Sequence, residues 1–373
     1  MTDNILLTVF FLDPASLRIL GKLSVEKKVV SDSGAVSWVQ IGDAEKDSVS
    51  LANHFVHGLF QSITVSVEGS QASFVLSQDY PYKAWIEQIF SFSQESARQQ
   101  LISAGVYEDP VEDAAAYANN GATWIDHPNL GSNATRSKWL TKGNGQGVIG
   151  FCAPLHLDLM SSGRLWMDNC QINLRFVRTP DNFLLLIKNY GVSEGKEPEC
   201  RIRLHELKLY LRKVNIASNL KQQIDSSLSR GLKIRYPITK TIVRMGQITT
   251  GVQEYTFNMI HSGRIPYMII CFLTTTKAVN GDLRKNPFNA GVHNCEKLCV
   301  VINNVSNPIS SYAINSPNSH ESLKEFGVFL DQANAGRFNS SNMITYDKWC
   351  SYNRFYVVDT TPDSCSGYHN HLR

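Results

Sequence analysis

Apolar and polar residues alternate at period two along much of the chain, which predicts strands. Residues 63–67 (ITVSV) alternate cleanly and run into the turn Glu68-Gly69-Ser70. Residues 171–178 alternate as well, with Ile172, Leu174 and Phe176 on one side and Asn173, Arg175 and Val177 on the other. The turn cluster Thr179-Pro180-Asp181-Asn182 follows, then the apolar run 183–188, so this pair predicts a hairpin with one buried face. In 201–212 the apolar parity switches: Ile202 and Leu204 hold one phase, Leu207, Leu209 and Leu211 the other. A phase switch inside one strand predicts a bulge or bend. The unbroken apolar runs 267–273, 298–302 and 355–359 predict strands in the middle of packed sheets.

Helical periodicity is rarer. Residues 81–100 carry Ala84, Trp85, Ile86, Ile89 and Phe90 ahead of a polar tail. Residues 214–232 place Ile216, Leu220, Ile224 and Leu228 four apart and end at Gly231, a C-terminal stop signal. A third, short candidate covers 321–335. Strands dominate, and nothing alternates strand with helix as a parallel α/β sheet would. Many short strands between Gly, Pro and Asn turns predict an all-β chain built as sandwiches or barrels. The organisation reads as an N-terminal segment 1–38, a first β-unit 39–213, a helical connection 214–232 and a second β-unit 233–373.

Composition narrows the function classes. Of 373 residues, 43% are hydrophobic, enough for a real core in each half. Only 18% are charged, below the roughly 25% of ordinary soluble domains. The balance of 36 Lys+Arg against 33 Asp+Glu leaves +3, which excludes a disordered polyelectrolyte and argues against a protein whose main task is gripping nucleic-acid backbone. Low charge fits a surface that meets other protein surfaces. The apolar run 5–12 lacks a positive flank and a cleavage site, so it reads as a buried strand or an ill-ordered leader rather than a signal peptide. No stretch reaches the ~20 apolar residues of a membrane-spanning helix. Eight scattered cysteines, several in strand-like runs, read as reduced thiols packed as small hydrophobes.

Candidate chemistry is sparse. No Gly-rich phosphate loop, nucleophile elbow or HExxH signature occurs. His156 and Asp158 have the HxD spacing that puts two ligands on one face of a strand, as in iron sites of cupin-like folds. The second downstream histidine is missing, apart from a remote His205, and the plainer reading is a strand edge facing water. Cys295, Cys299 and His293 lack a second pair at zinc spacing. Asp126-His127 and the tail histidines His369 and His371 are weaker still. His54 and His57, beside Phe55, Val56, Leu59 and Phe60, read as hydrogen-bonded histidines of a partly buried surface. Arg201, Arg203, Lys208, Arg212 and Lys213 form a modest basic stripe interrupted by Glu206, a solvated strand face before it is a nucleic-acid contact. The expectation is therefore a non-enzymatic protein with no catalytic set, metal or cofactor.

Several segments fall in a recognisable order. They are 51–69 (LANHFVHGLFQSITVSVEG), Tyr80-Pro81-Tyr82 and its continuation to Glu87, and 157–160 with 163–165. After them come 172–178, 207–214, Tyr236-Pro237, Asn286-Pro287-Phe288-Asn289 and Thr361-Pro362-Asp363. Together, over roughly residues 40–370, they resemble the major capsid proteins of Polinton/Maverick elements and adinto-like viruses. The resemblance rests on order and spacing, since no single motif is diagnostic.

It implies a double jelly roll, two eight-stranded antiparallel sandwiches side by side, with three subunits forming a pseudo-hexagonal capsomer of an icosahedral shell. The implied partners are other copies of the chain, first as a homotrimer and then as neighbouring capsomers, and a minor capsid or penton protein. The implied location is the virion, with synthesis in the cytoplasm or nucleus of the producing cell. Tyr80, Pro81 and Tyr82 would close a strand hairpin and open a helical excursion. Asn286, Pro287 and Phe288 would form a fixed turn in the second roll, and Thr361, Pro362 and Asp363 a turn before its last strands. These nine residues carry over as scaffold. Trp85, Trp124, Trp166 and Trp349 would anchor the core or a contact. Residues 1–38 depart from the expected start, and the family would run on past Arg373 into a final strand. Either an early strand is missing, or 5–12 and 17–30 supply it. The rival readings are a monomeric β-sandwich that binds carbohydrate through exposed aromatics, and a cupin-type metal enzyme built on His156 and Asp158.

Overall fold

A computed structural model describes residues 5–7, 11–42, 49–67, 73–74, 79–106, 147–167, 172–187, 199–258, 265–291, 293, 295–302, 305–313, 320–333 and 341–360. The described chain is mostly β, with few helices, and all its strand ladders are antiparallel.

The strands, in chain order, are β1 (Ile5–Leu7), β2 (Phe11–Val30), β3 (Val36–Gln40), β4 (Val49–Leu51), β5 (Phe60–Val67), β6 (Ser73–Phe74), β7 (Ile149–Pro154), β8 (Ile172–Arg178), β9 (Leu185–Ile187), β10 (Cys200–Val214), β11 (Met268–Phe272), β12 (Lys297–Ile302), β13 (Val305–Ala313) and β14 (Phe355–Asp359). One four-stranded sheet runs β1-β8-β5-β6. The other is organised on β2, which takes β10 along one edge and both β7 and β3 along the other. Leu12, Leu17 and Leu211 of this second sheet line one apolar cavity with Ile172 and Leu174 of the first, so the two sheets face each other across a shared core. The remaining strands form two-stranded ribbons, β4-β9, β11-β14 and β12-β13.

The N-terminal residues are built into both sheets. Ile5 pairs with Leu174, and β2 supplies the longest ladder of the fold. Leu17, Ile19, Gly21, Leu23 and Val25 alternate inward and are buried, so period-two patterning explains the strand. Pro14 cannot donate to a ladder, and the β2–β10 register slips at this point, between Tyr210 and Arg212. Ser16 repairs the gap: its hydroxyl donates to Asp13 O at 2.6 Å and accepts from Arg212 N at 2.8 Å. The second slip lies between Leu204 and Glu206, where the sequence changes phase, and His205 turns out of register to meet the Ser24 hydroxyl at 2.8 Å. Gly21 allows the close approach of three strands: a Cβ there would sit 2.4 Å from Phe151 Cζ and 2.7 Å from Glu206 O.

One expected hairpin does not form. β8 pairs with β5 and β1, while 185–187 pairs with β4 in a separate ribbon. A 3₁₀ turn at Asp181–Phe183 turns the chain away, held by Arg178 donating to Asp181 at 2.6 Å and Asp181 accepting from Ile202 N at 3.0 Å. The expected helix over 81–100 is two helices, Tyr80–Ser91 and Gln94–Gln100, because Phe92 is extended and Ser93 caps the second by accepting from Ser96 N. The helix Ser218–Ser229 ends as its sequence predicts. Gly231 (φ 86) closes a Schellman motif, with Gly231 N donating to Leu228 O and Leu232 N to Ser227 O.

Candidate functional site

The helix Tyr80–Ser91 organises the interior. It is apolar on most of its surface, yet Lys83 and Gln88 on it are buried as fully as Tyr80, Ala84 and Trp85. It presents one face to a polar cluster and another to an aromatic one.

On the polar face, Lys83 Nζ lies 2.6 Å from Asp158 Oδ1 and 3.2 Å from Glu87 Oε1, and donates to His156 O at 2.9 Å. The three donor positions of the ammonium are thus matched by three oxygens. Glu87 holds His156 through its other oxygen, Oε2 to Nδ1 at 2.9 Å. Burial pushes the Glu87 carboxyl up, but the His156 hydrogen bond and the Lys83 charge outweigh it, so the net shift is downward. His57 Nδ1 meets Tyr80 Oη at 3.0 Å, and that oxygen also accepts from His156 N at 3.3 Å. The His57 and His156 rings meet edge to face, 4.9 Å between centroids, and both Nε2 atoms are buried without a hydrogen-bond partner. Burial, then the neighbouring His156 and His54, holds the His57 imidazole well below the ordinary histidine range. His54 Nδ1 pairs with Gln88 Oε1 at 2.7 Å, and His54 itself adopts a left-handed backbone (φ 59), its N–H capped by Asn53 Oδ1.

On the aromatic face, Tyr82 and Trp85 meet rings from far along the chain. Tyr82 lies 6.0 Å from Phe288, 5.9 Å from Phe272 and 6.2 Å from Phe183; Trp85 lies 5.2 Å from Phe355. Phe288 is delivered by a local turn in which its N–H donates to Asn286 Oδ1 at 3.0 Å. Backbone bonds reinforce the junction: Met343 N donates to Ile89 O at 2.9 Å and Ile187 N to Leu283 O at 2.8 Å.

The nine residues marked as scaffold therefore fall into three groups. Tyr80, Pro81 and Tyr82 start the central helix and are buried, with Pro81 in its first turn, where a missing N–H costs nothing. Asn286, Pro287 and Phe288 form the turn that meets Tyr82 and Trp85. Thr361, Pro362 and Asp363 lie outside the described residues, immediately after β14. Trp166 and Trp349 are buried like Trp85; Trp124 lies outside the described residues.

The chain matches no family profile. It is 22% identical over 247 residues to an uncharacterized protein of Caenorhabditis elegans, covering 65% of this chain and 52% of that protein. The chain thus spans about half the length of that curated relative. Among solved structures, the mavirus major capsid protein superposes with a TM-score of 0.33 at 11% identity, over 59% of this chain and 44% of that one.

The other sequence candidates resolve differently. His156 and Asp158 do not share a strand face: β7 ends at Pro154 and Asp158 opens a 3₁₀ turn. The Lys83 ammonium already fills the space beside Asp158. Among the described residues no three His, Cys, Asp or Glu side chains converge as a metal site would require. His54 and His57 are wholly interior rather than partly exposed, because the short helix Phe55–Gly58 is buried on every side. The basic stripe is largely neutralised. Arg201 and Arg203 both grip the buried Glu26, at 2.7 and 3.0 Å, Lys208 pairs with Glu206, and Arg212 lies 3.7 Å from Asp13. Burial raises the Glu26 carboxyl, and the two guanidinium hydrogen bonds more than reverse it. The six described cysteines are free thiols, and burial pushes Cys271 up to about 11. Among the described residues no helix is long and apolar enough to cross a membrane.

The polar cluster itself was missed by sequence reasoning. Its one visible sign is Lys83 and Glu87 at spacing four on the buried side of a helix, where a charge is retained only with a partner.

Proposed function

We propose that this chain is a structural, non-enzymatic protein that assembles with copies of itself, a double jelly-roll major capsid protein of the Polinton/Maverick type that trimerises and tiles a shell in the virion. The observation that carries the reading is the pair of facing antiparallel sheets built from residues 5–214, a sandwich arrangement that supports a jelly roll. The ordered motifs of the sequence support it, and the two of them that meet in space, Tyr80-Pro81-Tyr82 and Asn286-Pro287-Phe288, do so in a junction joining the two halves of the chain. The polar cluster supports a scaffold role too. Its charges are spent on one another, with Lys83 and Asp158 both buried. The carbohydrate-binding alternative needs exposed aromatic platforms. Among the described tryptophans, Trp85, Trp166 and Trp349 are buried, and the Arg201 guanidinium sits 4.2 Å over Trp38; Tyr210, Tyr255 and Tyr267 are exposed but stand on separate segments of the chain.

Sedimentation velocity with light scattering at micromolar concentration tests the proposal. Trimers or larger closed assemblies are expected, with hexagonal capsomers in negative stain. A well-folded chain that stays monomeric overturns it.

A further inference from the structure

The small net charge of the chain hides an uneven distribution. From Ser226 to Gln253 there is no Asp or Glu, and five cations stand in that stretch: Arg230, Lys233, Arg235, Lys240 and Arg244. The stretch carries +5 in a chain of net +3, leaving −2 for everything else. All five residues are exposed. Arg164 of the body joins them: it is exposed, and its guanidinium donates to Arg235 O at 2.8 Å. Among the described residues, none of these six cations has a carboxylate at ion-pair distance. The basic stripe on β10 is the contrast, since its Arg201, Arg203, Lys208 and Arg212 meet Glu26, Glu206 and Asp13.

The segment is held on the body yet open to solvent. Tyr236 stacks flat on Trp166 (4.6 Å between centroids, 3°), Thr241 N donates to Asp158 Oδ2 at 3.2 Å, and Ile238 and Val243 pack against the core. Asp158 brings no net counter-charge, because Lys83 already sits 2.6 Å from it. Past this clasp, no backbone N–H of residues 242–251 reaches an acceptor among the described residues. Two rings complete the surface. A Cβ on Gly246 would lie 2.7 Å from the Phe257 ring and 3.2 Å from the Tyr255 hydroxyl, so both side chains lie against the backbone two residues after Arg244. Both remain more than two-fifths exposed.

We infer that residues 230–257, together with Arg164, bind a single-stranded nucleic acid. The unpaired cations and the open backbone N–H groups take phosphates, and Tyr255 and Phe257 stack on bases. An acidic protein segment would use the cations and leave the rings without a role. A duplex keeps its base faces stacked inside, so the rings select an open strand. The clasp and the two packed aliphatic residues fix the segment before binding, which lowers the cost of ordering it. The inference does not rest on the self-assembly reading.

Fluorescence anisotropy of a labelled ~20-nucleotide oligothymidine, titrated with the full chain, tests it. Binding is expected, with log Kd rising against log salt at a slope of about 4, roughly 0.7 for each of the six cations. Lys233→Gln/Lys240→Gln/Arg244→Gln should lower that slope by about 2 and weaken binding at least ~10-fold at about 0.1 M salt. Tyr255→Ala/Phe257→Ala should weaken binding about 5-fold or more at an unchanged slope, and should lose nothing against a duplex of the same length. All five substituted positions are exposed, and circular dichroism with thermal melting verifies the fold. Lys22→Gln/Lys208→Gln removes two cations that already face Glu206, and it should bind as the natural chain does. No binding by micromolar protein at about 50 mM salt overturns the inference. So does a labelled polyglutamate peptide bound as tightly as the oligothymidine, which would make the surface a dock for acidic protein. A ring variant that binds the strand normally overturns the stacking and with it the preference for an open strand. Sedimentation keeps the two readings apart: a monomer that binds the strand overturns self-assembly alone, and an assembling chain that ignores the strand overturns this inference alone.

Discussion

Lys83 Nζ lies 2.6 Å from Asp158 Oδ1 with both side chains nearly removed from water. Such a pair adds little net stability over a well-packed apolar pair, but losing one member strands a charge in the interior. Lys83→Met is therefore expected to cost about 3–5 kcal/mol in urea unfolding. Lys83→Met/Asp158→Asn should recover a substantial part of that loss. A double variant no more stable than Lys83→Met would show that the charge pairing is not what holds this junction.

Acid should weaken the fold through His57. Its folded pKa lies well below the ordinary 6.5, so the unfolded chain binds the proton more readily. The contribution is complete above about pH 6.5 and declines as pH falls below it, by at most ~1.4 kcal/mol per pH unit. The groups facing the ring are His54, His156 and the Tyr80 hydroxyl, none of them a carboxylate. Glu87, lowered in the fold, acts in the same direction at more acid pH, its stabilisation lost as the carboxyl protonates. Denaturant midpoints measured from pH 7.5 to 5 should fall, and His57→Phe should flatten that slope. Equal slopes for the two chains would remove His57 as the sensor.

Gly21→Ala puts a methyl against Phe151 and the Glu206 carbonyl. The aromatic ring can yield, but the backbone oxygen belongs to a ladder and cannot. A loss of about 1–3 kcal/mol is expected, the usual cost of overpacking. Gly150→Ala, where a Cβ meets nothing within 4 Å, is the control and should stay within ~0.5 kcal/mol.

Phe288→Ala should cost about 3–5 kcal/mol, since the ring is buried among Tyr82, Trp85 and Phe183. A double-mutant cycle with Tyr82→Leu and Phe288→Leu should return a coupling of about 0.5–1.5 kcal/mol. No coupling would mean that the two motifs are neighbours without being partners.

What the sequence made legible was local. The phase switch after Leu204, the Gly231 stop and the apolar runs that became β11, β12 and β14 are each dictated by residues within a few positions of one another. Pairing was not legible in the same way. The stretches 171–178 and 183–188 look like a hairpin because they are adjacent, yet the Asp181 carboxylate binds the N–H of Ile202 and the second limb leaves for β4. The polar cluster was hidden for the same reason. His57, Lys83, His156 and Asp158 are ordinary polar residues in sequence, and only the meeting of three distant segments makes them interior.

The aromatic junction has a bearing on synthesis. Trp85 leaves the ribosome 187 residues ahead of Phe272, 203 ahead of Phe288 and 270 ahead of Phe355, the rings it packs against. For most of that time the helix Tyr80–Ser91 carries an oily flank with nothing to cover it. A nascent chain of this kind needs shielding until Phe355 has been made, and a stop codon shortly before Phe355 would release a product fit for proteolysis rather than for use.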